Sequence, residues 1–172
     1  ADSALRDQAD LKVLNLPESL KSIGIRSFEG CKALENVNLP NKLEIIDFNA
    51  FKNTGLKSID IPDSIKEIKD NAFSGCKSLK TIKIGKGVTE LGYNAFSGTA
   101  IEEIDIPENI KSFPTLFSDC NSLTKMTVRC KTAFQMFSLP DNLERIYVPK
   151  EALDDYKEHN PDYADRFLAI EE

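Results

Sequence analysis

The chain of 172 residues has one histidine, His159, no Cys-x-x-Cys pair and no run of about 18 apolar residues. It also has no linker rich in glycine, serine or proline and no block of like charge. Each shortage excludes something. Without a long apolar run, no transmembrane segment is expected. A Ser-His-Asp or Cys-His arrangement would have to use His159, which stands beside Asn160-Pro161-Asp162-Tyr163 and reads as a solvated turn, so no catalytic residue is assigned. Cysteines without that paired spacing or a neighbouring histidine do not describe a zinc site, and no metal or cofactor is expected. The net charge of −6 and pI near 5.0 argue against a nucleic-acid groove or a polybasic membrane patch. Gly85-Lys86-Gly87 lacks the frame and the Lys-Ser/Thr ending of a phosphate loop and reads as a turn. With 28 acidic residues, chance pairs of carboxylates are expected and none marks a site. The sequence begins at Ala1 and not at methionine, which reads as a processed or trimmed product, so that any export signal would have been lost before this numbering starts.

What the chain has in abundance is self-similarity. Blocks begin at Leu11, Leu34, Leu56, Leu79, Ile101, Leu123 and Leu143, with spacings of 23, 22, 23, 22, 22 and 20 residues. A period of that size is the mark of a solenoid. The fourth residue of each block is Leu14, Val37, Ile59, Ile82, Ile104, Met126 or Ile146, and the sixth is Leu16, Leu39, Ile61, Ile84, Ile106, Val128 or Val148. A period of two rich in β-branched residues predicts a short half-buried strand. Pro17, Pro40, Pro62, Pro107 and Pro149, with Gly85 in the fourth block, then end the pairing.

Two further anchors complete a block. One is an apolar pair, Leu20 and Ile23, Leu43 and Ile46, Ile65 and Ile68, or Val88 and Leu91. The other is a phenylalanine, Phe28, Phe51, Phe73, Phe96 or Phe117, expected to form one continuous column. A single block buries too little apolar surface to offset the ordering of its backbone, so the blocks must stack to fold.

The phrase L-x-x-I-x-I-P-x-S-I-x-x-I-x-x-x-A-F-x-x-C resembles the BspA-like leucine-rich repeat family of bacterial surface proteins, over about positions 11 to 150. The segment IYVPKEALDDYKEHNPDYADRFLAIEE is similar to the closing segment of such proteins. That resemblance implies an α/β solenoid, a right-handed coil of about seven turns with a parallel β-sheet on its concave face, capped at both ends. Seven strands would make a sheet roughly 30 Å long. The expected organisation is a single domain over 1–172, with a helical lid over 1–10, repeats over 11–149 and a cap over 150–172 that buries Leu153, Tyr156, Tyr163, Phe167 and Leu168. The fifth block is a residue short before Phe117 and the sixth is compressed, so the coil should be irregular there.

Cys31, Cys76 and Cys120 share one repeat position and should be buried free thiols, because cysteines two coils apart stand about 9 to 10 Å from each other. A Cys120–Cys130 bridge stays open on sequence alone. The second, third and fifth residues of each block should point outward from the sheet, in bands of charge. Asp60, Lys80, Lys83, Glu102, Glu103, Asp105, Lys125 and Arg145, with Tyr147 as the one aromatic of that face, form the candidate ligand-binding surface. Two readings stand: a solubilising face whose charges pair across the ladder, and a recognition patch. With one aromatic the first weighs more, and the face makes a poor carbohydrate cleft. From the resemblance follow an exported, non-enzymatic adhesion module binding a protein or extracellular-matrix ligand, and, as the alternative, a structural spacer or assembly domain of a larger envelope protein.

Overall fold

Each block lies along its predecessor, because apolar residues at fixed offsets leave water by meeting their equivalents one block away. The computed structural model describes residues 2–171. Its elements are β1 (Ser22–Ile23), β2 (Ile45–Ile46), β3 (Ser58–Asp60), β4 (Glu67–Ile68), β5 (Thr81–Lys83), β6 (Glu90–Leu91), β7 (Glu103–Ile106), β8 (Lys125–Val128), β9 (Arg145–Val148), α1 (Leu153–His159) and β10 (Phe167–Ala169). The strands form sheets in the orders β1-β2-β4-β6, β3-β5 and β10-β9-β8-β7, and every pairing is parallel.

The predicted strands account for β3, β5, β7, β8 and β9. Fourth-position residues pair with one another, Ile59 with Ile82, and Ile104 with Met126 and then Ile146. All five are buried while their neighbours face outward, as a period of two requires. The expected single sheet of seven strands is corrected in two ways. The first two blocks contribute no strand at Leu14 or Val37, where Asn15, Asn36 and Asn38 supply poor strand formers. The remaining five strands fall into two sheets, divided between β5 and β7.

A second row of pairing lies at Ile23, Ile46, Ile68 and Leu91, positions that read from sequence as buried anchors and not as strands. Its ladder advances one coil at a time, with Asp47 N–H donating to Ile23 O at 3.0 Å, Lys69 to Ile46 at 2.9 Å and Gly92 to Ile68 at 2.7 Å. The next equivalent residue is Pro114. It has no N–H to donate to Leu91, so the row stops at β6.

The phenylalanine column forms as expected. Successive ring centroids from Phe28 through Phe51, Phe73 and Phe96 to Phe117 stand 5.2, 5.4, 5.9 and 5.7 Å apart, and the rings are stacked. The first four rings are turned inward by a bend bracketed by left-handed residues, for example Asn71 (φ 57°) and Gly75 (φ 72°) around Phe73, whereas the bend at Phe117 has Asp119 (φ 60°) on its far side alone. A Cβ on Gly75 would lie 2.1 Å from Asn53 Oδ1, so glycine there satisfies both the conformation and the close approach.

Both ends differ from expectation. Residues 2–7 are turns and no helix forms; Ser3, Leu5 and Asp7 donate to Ile25, Ser27 and Glu29 of the first block, in the same pattern as Arg26, Phe28 and Gly30 to Phe48, Ala50 and Lys52. Asp2-Ser3-Ala4-Leu5 therefore occupies the place of Asp70-Asn71-Ala72-Phe73 and is the turn half of a repeat. Leu11, Leu14, Leu16 and Leu20 remain only partly buried. After β9 the chain forms α1, a 3-10 turn at Pro161–Arg166 and β10, which pairs in parallel with β9. Of the residues expected to be buried there, Tyr156 and Phe167 are, Leu153 and Tyr163 are partly so, and Leu168 faces solvent because it alternates outward on β10.

Candidate functional site

The outward row of β7, β8 and β9 brings Glu103, Lys125 and Arg145 into register. Two cations side by side repel, and Lys125 turns toward β7, its Nζ donating to Glu103 Oε2 at 3.1 Å. The same ammonium stands 5.8 Å from the centre of the Tyr147 ring. Asp105 is gripped by Arg129, whose Nε donates to Oδ1 at 2.8 Å and whose Nη2 donates to Oδ2 at 2.6 Å. Arg129 follows β8 immediately and escapes a reading confined to block positions two, three and five. Across the break, Lys80 Nζ donates to Glu102 Oε1 at 3.3 Å. Asp60 and Lys83 face each other in the β3–β5 register without an ion pair among the described residues, as does Arg145 on β9. Glu102, Glu103, Asp105, Lys80, Lys125 and Arg129 are thus largely satisfied by one another.

The opposite margin has a different character. Phe48, Tyr93 and Phe137 are 40%, 62% and 52% exposed and line one open groove of about 760 Å³. Its floor is the end of the second row, Ile68 and Leu91, and its far wall is Phe113 and Phe134, whose rings stack at 6.4 Å. Phe48 and Tyr93 share a block position with Ile25, itself 37% exposed, so a recurring apolar residue outside the buried anchors was the signal in the sequence. The far wall is fixed from the chain's last third: Asn160 is buried, accepts from Met136 N–H at 2.5 Å and donates to Phe134 O at 2.8 Å.

The thiols are all free and buried, Cys120 and Cys130 included. Cys76 Sγ donates to Phe51 O at 3.0 Å, Cys120 Sγ to Phe96 O at 3.1 Å and Cys31 Sγ to Leu5 O at 3.0 Å. Burial pushes the Cys76 thiol up to about 11 and raises the other three as well, which makes them poor nucleophiles. His159 is exposed, with Nδ1 2.8 Å from Asp155 O on its own helix. Among the described residues no helix is long and apolar enough to cross a membrane.

Coiled parallel strands with a buried leucine and isoleucine lattice define a leucine-rich repeat protein. The chain belongs to the family described as BspA type Leucine rich repeat region, which matches in six copies over residues 1–124 and 46–154. Among solved structures it is similar to a leucine-rich repeat protein of T. pallidum, at 26% identity and a TM-score of 0.64, over 75% of this chain and 65% of that one. It also matches a leucine-rich repeat protein from Bacteroides ovatus, at 19% identity and a TM-score of 0.44, over 99% of this chain and 80% of that one. A leucine rich cell surface protein from Faecalibacterium prausnitzii matches at 19% and 0.43, over 96% of this chain and 62% of that one. No curated protein matches the chain.

Proposed function

We propose that the chain is a non-enzymatic interaction module, exported and displayed at a bacterial surface, that binds a protein or extracellular-matrix ligand through the sheet of β7, β8 and β9. In this reading it is one domain, a right-handed coil of about seven turns closed by the segment after Pro149. The observation that carries the binding role is the alignment of Glu103, Lys125 and Arg145 beside Tyr147 on three paired strands, a charged strip with an aromatic on a stiff support. Membership of the family supports the surface location. Reversal of Glu102, Glu103 and Asp105 to lysine tests it in solid-phase binding to purified matrix proteins. Lost retention by a chain that still folds is expected, with melting lowered by the new cation–cation neighbours at Lys80, Lys125 and Arg129, and unchanged retention overturns the role of this face.

The mutual pairing of the same charges favours a second reading, a rigid spacer within a larger envelope protein, for which the face needs only to stay soluble. A chain that retains no ligand, but whose deletion from the longer protein disturbs its assembly, supports the spacer.

A further inference from the structure

The groove beside β6 is closed to a partner's backbone and open to side-chain contacts. Residues 111–115 of the next coil lie along β6, with Lys111 N–H donating to Thr89 O at 3.0 Å and Asn94 N–H donating to Thr115 O at 2.7 Å. An added strand would find no edge there. The groove presents aromatic rings instead: Phe48, Tyr93 and Phe137 are exposed together, with no internal reason to stand in water. Phe48, Asp70 and Tyr93 hold one block position on three consecutive coils, joined by Asn49 N–H to Asp70 O at 3.1 Å and Asn71 N–H to Tyr93 O at 2.9 Å. Phe48 and Tyr93 are therefore two coils apart, about 9 to 10 Å along the coil axis.

The charges on the lining cancel. Lys69 and Lys111 stand with Asp70 and Glu90; Lys69 is hydrogen-bonded to Glu67, Lys111 Nζ lies 3.8 Å from Glu90 Oε1, and Asp70 Oδ1 accepts from Tyr93 N–H at 2.9 Å. No field of one sign selects a charged occupant. The other polar groups of the lining are neutral. The hydroxyls of Ser112 and Thr115 and the amide of Gln135 make no hydrogen bond among the described residues. A purely apolar ligand would leave those groups without partners, and it favours an enclosed pocket over an open groove. Exposed rings beside unused neutral donors and acceptors suit a ligand with an apolar face and a hydroxylated edge.

We propose that this groove binds a neutral oligosaccharide of the flat, cellulose-like class, with its sugar rings against Phe48, Tyr93 and Phe137 and its hydroxyls on Ser112, Thr115 and Gln135. The C–H face of a pyranose carries slight positive charge, which meets the negative face of an aromatic ring. In a cellulose-like chain consecutive sugars are turned over, so the same face returns at every second sugar. The two-coil separation of Phe48 and Tyr93 is about the length of that disaccharide unit. A chain that winds into a helix, as in starch, bends away from a row set by straight coil stacking. The β7–β9 face makes a poor carbohydrate cleft because it has one aromatic; here three stand together. The volume of about 760 Å³ lies within the range of small-molecule sites. This site is independent of the charged strip on β7–β9, and either can fail alone.

The test uses the whole chain and three hexasaccharides, cellohexaose, the helical maltohexaose, and the hexamer of glucosamine with the cellulose linkage, held in its ammonium form at mildly acid pH. Binding is read from backbone amide shifts in NMR titrations. Cellohexaose should saturate, with shifts gathered at Tyr93, Ser112 and Gln135, and should outbind maltohexaose by about tenfold or more. The glucosamine hexamer should bind no tighter than cellohexaose at the same pH, because the lining is neutral. Tyr93→Ala should weaken cellohexaose about tenfold and Gln135→Ala severalfold. Tyr147→Ala, on the other face, should change nothing. Should Tyr93→Ala melt early, Gln135→Ala, which removes an exposed and unpartnered amide, decides the outcome. The proposal is overturned if cellohexaose does not saturate, if maltohexaose binds alike, if the glucosamine hexamer binds tighter, or if neither groove variant moves the affinity. A monomer–dimer equilibrium abolished by Tyr93→Ala would assign the groove to a second copy of the chain and overturn it equally.

Discussion

The hydroxyl of Thr54 lies 3.1 Å from the thiol of Cys76, one coil further along, and both also donate to the carbonyl of Phe51. Thr99 and Cys120 repeat the relationship around Phe96, at 3.4 Å. Alternating threonine and cysteine at one repeat position thus satisfies the carbonyls of Phe51 and Phe96, every second ring of the inner column, without placing a charge in the core.

An alkaline instability follows from that burial. The Cys76 thiol is raised from 9.0 to about 11, so the folded chain holds a proton that the unfolded chain releases above pH 9. Stability is full below pH 9 and falls as pH rises from 9 toward 11, by about 1.4 kcal/mol per pH unit for this thiol. Urea midpoints measured across that window should fall in the wild type and fall less in Cys76→Ala. Equal slopes would show that the thiol ionises as freely in the folded chain as in the unfolded one. At neutral pH all four cysteines should label slowly in the native state and at once in denaturant without reductant.

The stacked rings imply a cooperative cost for breaking the column in its middle. Phe73 is fully buried between Phe51 and Phe96, so Phe73→Ala leaves a cavity with ring faces on both sides. The expected loss is about 3 to 5 kcal/mol. Phe73→Leu should lose less, because it fills part of the space. An alanine variant within about 1 kcal/mol of wild type would mean that the neighbouring coils close over the gap.

The Asp105–Arg129 pair has ideal geometry and half-exposed partners, and exposure decides its worth. Asp105→Ala should shift stability by no more than about 1 kcal/mol, and less in high salt. A larger loss would make the carboxylate structural, and the triple reversal on this face would then report folding and not binding.

How much of this was legible in the sequence depended on how local the cause was. The positions Ile59, Ile82 and Ile104, the phenylalanine column and the buried thiols follow from a period that every block repeats, so errors in one block are corrected by the others. The second row was hidden because two-residue strands at Ile23 and Ile46 have too few residues to show alternation. The groove was hidden for the opposite reason: it arises where the period fails, at Pro114 and around Phe134 and Phe137, and such a departure says that something differs without saying what fills the space. Ion-pair partners such as Arg129 depend on side-chain reach between coils, which block position alone does not give.

The last third of the chain holds the groove's far wall through one buried amide. Asn160 accepts from Met136 N–H and donates to Phe134 O at 2.8 Å and Tyr156 O at 2.9 Å, while Tyr156 Oη donates to Cys130 O and Thr132 O, both at 3.1 Å. Asn160→Ala leaves three backbone groups without partners and should cost about 1 to 3 kcal/mol for each that water does not reach. Asn160→Asp is the sharper test. It keeps the acceptor for Met136 but sets a carboxylate against two carbonyl oxygens in place of the donor, so at neutral pH it should destabilise more than alanine does. Protonation restores a single donor, and stability relative to alanine should therefore recover as pH falls, the sign expected when burial raises a carboxyl group's pKa. Exchange of the Met136 amide should quicken in Asn160→Ala and remain slower in Asn160→Asp, because only the aspartate still accepts from it. Equal exchange in both, with melting close to wild type, would mean that the 130–137 segment is held by its own packing and that Asn160 does not position the wall carrying Phe134.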